Sequence, residues 1–390
     1  MSILKRSTFI MCVMMLSLLY IDTSIAQEDK SYLDAPEIIK EPSSTRKYSA
    51  ESRQFTGIPS VAISRNGCFW AVWYSGKSPA EDKNNYVVVA TSNDKGQTWE
   101  EVMVIDPDGD GPVRAFDPEV WLDPDGQLWV FWAQQIKPAR STKSGVWAMT
   151  TSDPDSADPK WSKPRRLVDG VMMCKPTVLS DGVWALPVSF WHLMEKSAKM
   201  VVSTDKGNTW SVQGAVNVPE DVRNHDEHMI MERKDRSLWM LVRTNYGMGE
   251  SISHDQGNTW SPLIPSNIQH PAARFFIRRL NSGNLLLVKH GPIDMRTGRS
   301  HLMAFISKDD GHSWSDGLLL DERSGVSYPD GQQTEDGTIY IIYDYDRTGN
   351  QKIHMTSFRE DDVISGSDTR MLEVFQRRQV VSNGGAKQSK

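Results

Sequence analysis

Short runs of alternating apolar and polar residues recur along this chain at a spacing of about fifty residues. A short polar turn, such as Asn66-Gly67 or Asp125-Gly126, divides each run into two halves. Alternation on both sides of such a turn predicts a β-hairpin. Six similar units, each with roughly three to four strands, predict an all-β fold, a six-bladed β-propeller. The six runs begin near Ile58, Asp117, Lys175, Asp226, Phe275 and Tyr328.

A second pattern, Ser-x-Asp-x-Gly-x-Thr/Ser-Trp, follows a third strand-like run in four of these units. The Asp can accept hydrogen bonds from the backbone of a turn, Gly allows a positive φ, and Trp can pack against the neighbouring hairpin. A fifth, degenerate copy fits Ser152-Asp153 with Trp161, where an insertion replaces the Gly. The pattern indicates a stabilised turn of the scaffold and carries no chemistry of its own. The four full copies begin at Ser92, Ser203, Ser253 and Ser307.

The start of the chain has the pattern of a secretory signal. An apolar run from Phe9 to Tyr20 is too short to span a bilayer comfortably, and Ser24-Ile25-Ala26 is a small-residue cleavage site. We therefore expect a secreted or periplasmic protein that is cleaved after Ala26.

The rest of the chain is predicted to form one domain with two short flanking segments. Residues 27–55 are expected to wrap the outside of the propeller or to complete its last blade, and residues 56–365 to form the propeller itself. Residues 366–390 are expected to add a C-terminal strand, Met371–Val381, and a tail.

Charge and cysteine content exclude several classes of function. The formal net charge is −6 and no basic run appears, which argues against nucleic-acid binding. No stretch after the signal is long and apolar enough to be predicted as a membrane span. Cys68 and Cys174 are expected to be buried free thiols, with a disulfide between them as the alternative. No metal site and no cofactor motif is recognised, and a monomer is expected.

Polar side chains near the starts of the innermost strands of a propeller converge on one central funnel. In a strand, His225 and Glu227 share a face, whereas His228 joins them only if the strand start is irregular. Asp82 lies in the loop after the first hairpin, and His192 lies at a predicted strand end. The further candidates at strand starts are Asp117, Glu119, Lys175, Arg274 and Tyr328.

The repeated Asp pattern and the unit spacing resemble the sialidase superfamily, whose fold is a six-bladed propeller, over most of the mature chain. The segment DEHMIMERKDRSLWMLVR resembles the sialidase stretch that carries a Glu and an Arg, here Glu227 and Arg243. GRSHLMAFISKDDGHSW resembles the segment with another Arg, here Arg299, and GVSYPDG the segment with the catalytic Tyr, here Tyr328. In such a group Glu227 can take the proton of Tyr328, and Arg243 and Arg299 can bind an anionic sugar through either a carboxylate or a sulfate.

One position departs from the sialidase pattern. Sialidases begin the first blade with Phe-Arg-Ile-Pro, and that Arg completes a three-arginine clamp on the sialate carboxylate. This chain has Thr56-Gly57-Ile58-Pro59, and Gly cannot replace a guanidinium that binds a carboxylate through paired hydrogen bonds. The departure favours another acidic sugar, such as a uronate. By the same resemblance, the acid/base residue belongs in the loop after the first hairpin, where Glu81 and Asp82 both lie, and Asp82 is the candidate.

The predicted function is exo-action on a terminal acidic sugar, uronate or sialate-like, of an anionic oligosaccharide or polysaccharide. Hydrolysis and elimination both fit, because His225 and His228 beside Glu227 would also suit proton abstraction by a lyase or dehydratase. Substrate contacts are expected from Arg243, Arg299, Lys175, Asp117, Arg274 and His192. A non-catalytic glycan-binding propeller is the alternative; in that case Glu227–Arg243 is a structural ion pair and Tyr328 a core aromatic residue.

Overall fold

The computed structural model describes residues 30–136, 143–365 and 368–385, and the predicted signal lies outside these residues. The strands are β1 (Glu37–Lys40), β2 (Phe55–Ile63), β3 (Phe69–Gly76), β4 (Tyr86–Ser92), β5 (Glu100–Asp106), β6 (Val113–Leu122), β7 (Leu128–Ile136), β8 (Ser144–Thr151), β9 (Arg165–Asp169), β10 (Val171–Met172), β11 (Thr177–Val178), β12 (Trp184–Ser189), β13 (Ala198–Ser203), β14 (Ser211–Val216), β15 (His228–Glu232), β16 (Leu238–Thr244), β17 (Gly247–Ser253), β18 (Ile264–Pro265), β19 (Phe276–Arg279), β20 (Leu285–His290), β21 (Ser300–Ser307), β22 (Leu318–Ser324), β23 (Val326–Gln333), β24 (Thr338–Tyr345), β25 (Lys352–Arg359) and β26 (Gln379–Ser382). The helices are α1 (Glu360–Ser365) and α2 (Asp368–Gln376), with short 3-10 turns at Ser31–Leu33, Pro42–Ser44, Ala50–Ser52, Trp191–Leu193 and Glu220–Val222.

Six antiparallel sheets account for these strands, and each sheet is built mainly from consecutive strands of one sequence unit. Neighbouring sheets meet through their innermost strands: β2 contacts both β6 and β23, and β19 contacts both β15 and β23. The contact between β2 and β23 joins the first blade to the sixth and closes the ring. The predicted six-bladed β-propeller is therefore confirmed. The blades are β1–β5, β6–β9, β10–β14, β15–β18, β19–β22 and β23–β26.

The two ends of the described chain extend different blades. β1 pairs with β5 as a fifth, outermost strand of the first blade, with Glu37 opposite Asp106. The sixth blade is completed by β26, which pairs with β25. The described part of the segment 27–55 thus contributes its strand to the first blade and not to the sixth.

The expected strand Met371–Val381 is wrong in its first half, where α2 forms. Met371, Val374 and Phe375 are spaced i, i+3 and i+4, which places them on one face of a helix. Val374 is buried, and its carbonyl accepts a hydrogen bond from Thr356 Oγ1 at 2.9 Å. Only Gln379–Ser382 is strand.

Large aromatic side chains fill the space between the sheets. Trp70, Trp73, Trp129 and Trp132 are each at most 2% exposed and pack in the core. Buried indoles need a partner for their N–H group. Trp70 Nε1 donates to Pro154 O at 3.0 Å, and Trp129 Nε1 to Asp123 Oδ2 at 2.9 Å. Cys68 and Cys174 are buried and free, as expected.

The repeated Asp turns all use one set of hydrogen bonds. Asp94 Oδ1 accepts from Ser92 Oγ at 2.7 Å and from Thr98 N at 2.9 Å, while Oδ2 accepts from Thr98 Oγ1 at 2.6 Å. Gly96 N donates to Ser92 Oγ at 2.9 Å. The turn is thereby stabilised within its own eight residues. The same contacts recur at Asp205, Asp255 and Asp309.

The glycine of each Asp turn also allows neighbouring blades to pack. Gly207 and Gly311 have φ values of 81° and 90°. A Cβ at Gly207 would lie 2.6 Å from Trp129 of the preceding blade, and one at Gly311 would lie 2.7 Å from Trp239. Backbone conformation and inter-blade space therefore require the same residue type.

Candidate active site

Four residues at the starts of innermost strands have left-handed backbone. Ile58, Asp117, Asp226 and Tyr328 have φ values of 58°, 46°, 50° and 52°. At Ile58, Asp117 and Tyr328 the pairing register also shifts, which marks a β-bulge. Such backbone costs on the order of 1–3 kcal/mol per residue and is concentrated at functional sites, where a bulge re-aims a side chain.

Tyr328, Glu227 and Arg243 meet in one buried cluster. Tyr328 Oη donates to Glu227 Oε1 at 3.3 Å and accepts from Arg243 Nη1 at 3.3 Å. Arg243 Nη1 also donates to Glu227 Oε1 at 2.5 Å. The three residues are between 3% and 5% exposed. Glu227 and Arg243 do form an ion pair, but they share it with the hydroxyl group of Tyr328.

Two more guanidinium groups lie against the ring of Tyr328. The Cζ atoms of Arg299 and Arg347 are 5.3 Å and 5.1 Å from the ring centroid. Arg299 Nη1 donates to Ser327 Oγ at 2.9 Å, and Nη2 donates to Ala272 O at 3.4 Å. Both arginines are half-buried, in contrast to the fully buried cluster beneath them.

The electrostatics of the cluster define its resting protonation state. Burial alone would raise the pKa of Glu227, but Arg243 and His225 outweigh burial and hold that pKa below its usual range. Burial and the Glu227 carboxylate raise the pKa of Tyr328, against the opposing effect of Arg243 and Arg299. Glu227 is therefore a carboxylate that accepts a hydrogen bond from a neutral phenol. This arrangement suits transfer of the phenol proton to Glu227 when the phenol oxygen attacks a carbon atom.

Asp117 contributes a second carboxyl group, from the second blade. The residue is 3% exposed, and its Oδ1 atom has no hydrogen-bond partner among the described residues. Burial and the negative charge of Glu81 raise the pKa of Asp117 well above its usual range, although Arg114 opposes them. The raised pKa favours the protonated form of Asp117, and the negative charge of Glu227 adds to the shift.

The neighbouring residues Glu81 and Asp82, in the loop between β3 and β4, have different partners. Asp82 Oδ2 accepts from Ser78 Oγ at 2.5 Å and so stabilises its own loop. Glu81 instead lies 3.2 Å from Arg347 Nη1 and 3.9 Å from Arg114 Nη1, with its side chain 41% exposed. The structure therefore places Glu81, and not the predicted acid/base residue Asp82, beside the half-buried Arg347 and the buried Arg114.

His228 does not join the site. Its Nδ1 atom lies 2.9 Å from Asp226 O, and its Nε2 atom lies 2.8 Å from Lys199 O. Both ring nitrogens thus contact main-chain carbonyl groups, and burial lowers the pKa of the imidazole. The expectation that His228 acts as a base is corrected, because the strand start does not turn this ring toward Glu227.

His225 lies closer to the site. The residue is half-buried, its ring centroid is 5.5 Å from that of Trp191, and its charge helps to lower the pKa of Glu227. This position is compatible with the predicted role near Glu227. His192 belongs to the 3-10 turn Trp191–Leu193, and its side chain lies outside the described structure.

Lys175 is a structural residue on the propeller axis. Its Nζ atom donates to Asp330 Oδ2 at 2.6 Å, Ser60 Oγ at 2.9 Å, Val61 O at 2.8 Å and Val120 O at 2.7 Å. An ammonium group has only three protons, so its donors are all used within the protein. These contacts tie four blades together, and they correct the expectation that Lys175 binds substrate.

Arg274 lies between this axial cluster and the site. Its Nη2 atom is 2.9 Å from Glu119 Oε1 and 3.7 Å from Asp330 Oδ1, and the residue is 2% exposed. Its Cζ atom is 5.9 Å from the Tyr328 ring. Arg274 thus supports that ring from the axial side, and two carboxylates already engage the guanidinium that was expected to bind substrate.

Sequence reasoning missed Arg347 and Arg114. Arg347 follows β24 in the turn at the end of a strand, so a search of strand starts excluded it. Arg114 lies near the start of β6, where the same search could have found it. Its Cζ atom is 3.6 Å from the Phe116 ring centroid, and its Nη1 atom has no hydrogen-bond partner within the described chain.

A model of the BNR repeat-like domain matches residues 67–341, which is more than half of the chain. The chain belongs to the BNR repeat-like family. The resemblance to the sialidase superfamily is thereby confirmed at the level of family and fold. A search among curated proteins finds no match for this family member.

Solved structures show the same fold in glycoside-acting proteins. A Hadza microbial sialidase superposes with a TM-score of 0.63 at 20% identity, over 79% of this BNR repeat-like chain and 66% of its own, so this chain spans just under two thirds of that sialidase. The intramolecular trans-sialidase of Ruminococcus gnavus superposes with a TM-score of 0.60 at 15% identity, over 80% of this chain and 96% of its own. The α-L-arabinanase of Penicillium chrysogenum superposes with a TM-score of 0.58 at 13% identity, over 85% of this chain and 99% of its own. At these identities the likeness establishes a glycosidase-like propeller fold.

Two searches of the described residues of this family member gave negative results. No helix there is long and apolar enough to cross a membrane. No group of three or more His, Cys, Asp or Glu residues is placed to hold a metal ion in the same part of the chain.

Proposed function

We propose that this protein is an exo-acting glycoside hydrolase that removes a terminal acidic sugar from an oligosaccharide or polysaccharide. The observation that carries the proposal is the Tyr328 hydroxyl group, 3.3 Å from both the Glu227 carboxylate and the Arg243 guanidinium. A phenol with a usual pKa of about 10 needs such a partner to act as a nucleophile. A site that only binds glycans has no need of this couple.

Glu227 would accept the Tyr328 proton as the phenol oxygen attacks the anomeric carbon of the terminal sugar. The bond from that carbon to the leaving-group oxygen breaks, and Asp117 donates a proton to this oxygen. Water then attacks the anomeric carbon, the tyrosine oxygen leaves, and the phenol regains a proton from Glu227 while Asp117 takes one from the water. We assign the acid role to Asp117 because burial and the Glu81 charge raise its pKa, which favours the protonated form.

An acidic sugar is supported by the charges around Tyr328. Arg243, Arg299 and Arg347 surround the phenol. Glu227 pairs with Arg243, whereas Glu81 and Asp344 lie 3.2 Å and 3.9 Å from Arg347. Guanidinium groups bind carboxylates through paired, charge-assisted hydrogen bonds. The reacting groups are nearly buried beneath a half-buried rim, which favours the end of a glycan chain over its middle.

Elimination from a uronate is the second candidate reaction, since a phenolate could also take a proton next to a carboxylate. Of the two imidazoles expected to suit elimination, His228 is bound to main-chain carbonyls, which leaves His225 as the candidate base for that reaction. The raised pKa of Asp117 favours the protonated carboxyl group that hydrolysis requires as its acid.

Incubation with sialyl- and uronate-terminated oligosaccharides, beside their neutral counterparts, tests the proposal. We expect products whose masses show the addition of one water and no ultraviolet absorbance of an unsaturated sugar. Rising absorbance without water addition would establish elimination instead. No product from any acidic glycan with the intact protein would contradict an enzymatic function. Tyr328→Phe is the control and should remain folded without turnover.

We also propose that the protein acts outside the cytoplasm, because residues 1–26 have the pattern of a cleaved signal. N-terminal sequencing of the exported protein should begin at Gln27. A mature chain that still begins at Met1 would contradict this proposal.

A further inference from the structure

Gly57, which stands where a first-blade arginine is absent, lies against the side chain of Arg347. A Cβ atom built on Gly57 would be 2.4 Å from Arg347 Cδ and 2.5 Å from Arg347 Cγ. Gly57 does not have a positive φ, so its backbone conformation does not require glycine. The missing side chain instead makes room for the stem of an arginine from the sixth blade.

The guanidinium of Arg347 reaches the site over this glycine. Its Cζ atom is 5.1 Å from the Tyr328 ring centroid, as close as that of Arg299 at 5.3 Å. Its Nη1 atom is 3.2 Å from Glu81 Oε1, and the arginine side chain is 24% exposed. A ligand in the funnel can therefore touch Arg347.

Asp344 links Arg347 to the strand that carries Gly57. Asp344 Oδ2 accepts from Ile58 N at 2.9 Å and lies 3.9 Å from Arg347 Nε. The backbone of Arg347 adds a further contact, since its carbonyl oxygen accepts from Thr56 N at 3.0 Å. The arginine stem is thus held at the start of β2 from two sides.

We propose that Arg347 binds the carboxylate of the terminal sugar together with Arg243 and Arg299, and that Gly57 is present to admit it. The third guanidinium is then supplied by the turn after β24 in place of the first blade. This inference rests on the proposed function and names its ligand chemistry, a sugar carboxylate. The site then has three guanidinium groups for a sugar carboxylate, where the sequence implied only Arg243 and Arg299.

Binding measurements separate carboxylate recognition from turnover. N-acetylneuraminate and glucuronate serve as probes, each beside its uncharged methyl ester, in calorimetric titrations of the intact protein. We expect Arg347→Ala to weaken binding of the acid at least about tenfold, and binding of the ester much less, because one charge-assisted contact is lost. Equal weakening of both, no weakening, or no binding of either acid by the intact protein would overturn the inference.

Gly57→Ala tests the steric relation between the two residues. The added Cβ should displace Arg347 and weaken acid binding in the natural chain, but should add little in the Arg347→Ala background. Arg65→Ala, in the turn at the other end of β2, is the matched control and should change binding of neither the acid nor its methyl ester. Full additivity of Gly57→Ala and Arg347→Ala would show that Gly57 does not act through Arg347. If melting experiments show that Gly57→Ala does not fold, acid binding by Arg347→Ala and Arg347→Lys is compared instead. Weaker binding by both variants would support the role of the Arg347 guanidinium, and unchanged binding by both would overturn it.

Turnover of acidic glycosides distinguishes this inference from the proposed function. Cleavage that is unaffected by Arg347→Ala would overturn the role of Arg347 and leave hydrolysis standing. Acid binding that depends on Arg347 without cleavage of any glycoside would overturn hydrolysis and leave carboxylate recognition standing.

Discussion

The two ends of the blades use polar residues in opposite ways. At the end with the Asp turns, Asp94 is bound entirely by Ser92 and Thr98 of its own turn. At the other end, Glu227 and Asp117 are buried, take their neighbours from other strands and blades, and each keep one oxygen without a hydrogen-bond partner in the described chain. Polar groups that are satisfied locally stabilise the scaffold, whereas buried groups with unused capacity are available to a ligand.

The largest effect should come from the Tyr328–Glu227 couple. Tyr328→Phe and Glu227→Gln should each lower kcat on the cleaved acidic glycoside on the order of a thousandfold, and the double variant should be no worse, because the two residues act as one unit. Steady-state kinetics with melting curves as a folding control measures this. Losses that multiply in the double variant would show that the two residues act separately.

A buried charge that does not face the funnel should affect stability more than chemistry. Asp330→Ala removes the carboxylate that faces both Lys175 and Arg274, and we expect unfolding in urea to show a loss of about 3–5 kcal/mol. The double variant Lys175→Met with Asp330→Leu should recover part of this loss, since no charge is then left unpaired at that contact. A decrease in the free energy of unfolding of less than about 1 kcal/mol would contradict this, because only surface ion pairs contribute so little.

The carboxyl groups of Asp117, Asp82 and Glu81 should differ in their effect on activity. Asp117→Asn should lower kcat about a hundredfold, as expected for loss of a general acid, whereas Asp82→Asn should leave kcat nearly unchanged. Because the pKa of Asp117 is raised, activity should persist at low and neutral pH and fall as Asp117 ionises at higher pH. That alkaline limb should vanish in Asp117→Asn. If Glu81→Gln removes it instead, Glu81 is the acid.

The smallest effect should come from one Asp turn. Hydrogen bonds from Thr98 lower the pKa of Asp94 to about 2. A lowered pKa in the folded state contributes stability that is complete above the unfolded value near 4 and is lost as the pH falls toward 2. The melting temperature should therefore fall over this window, less steeply in Asp94→Asn, while turnover at neutral pH is unchanged. An identical acid limb in the variant would contradict this account.

Sequence patterns predicted the scaffold end well because its contacts are local. Hairpin alternation and the Ser-x-Asp-x-Gly pattern act within one turn, and every full copy folds as expected. At the funnel end, strand position alone could not distinguish Lys175, whose side chain ends on the axis, from Tyr328, whose side chain lies among the arginines. Both residues come near the start of a unit, and a β-bulge that local pattern does not reveal sets the direction of Tyr328.

The sequence by itself determined the six blades, the Asp turns and, through resemblance, the group of Tyr328, Glu227, Arg243 and Arg299. The blades and the Asp turns depend on hydrogen bonds and on alternation of apolar and polar residues within short segments. The four site residues lie in short sequence motifs that resemble those of sialidases. Only the tertiary structure decided that Arg347 fills the space over Gly57. That contact exists because closing the ring brings the sixth blade beside the first, and no local pattern records which side chain occupies the space that a glycine leaves.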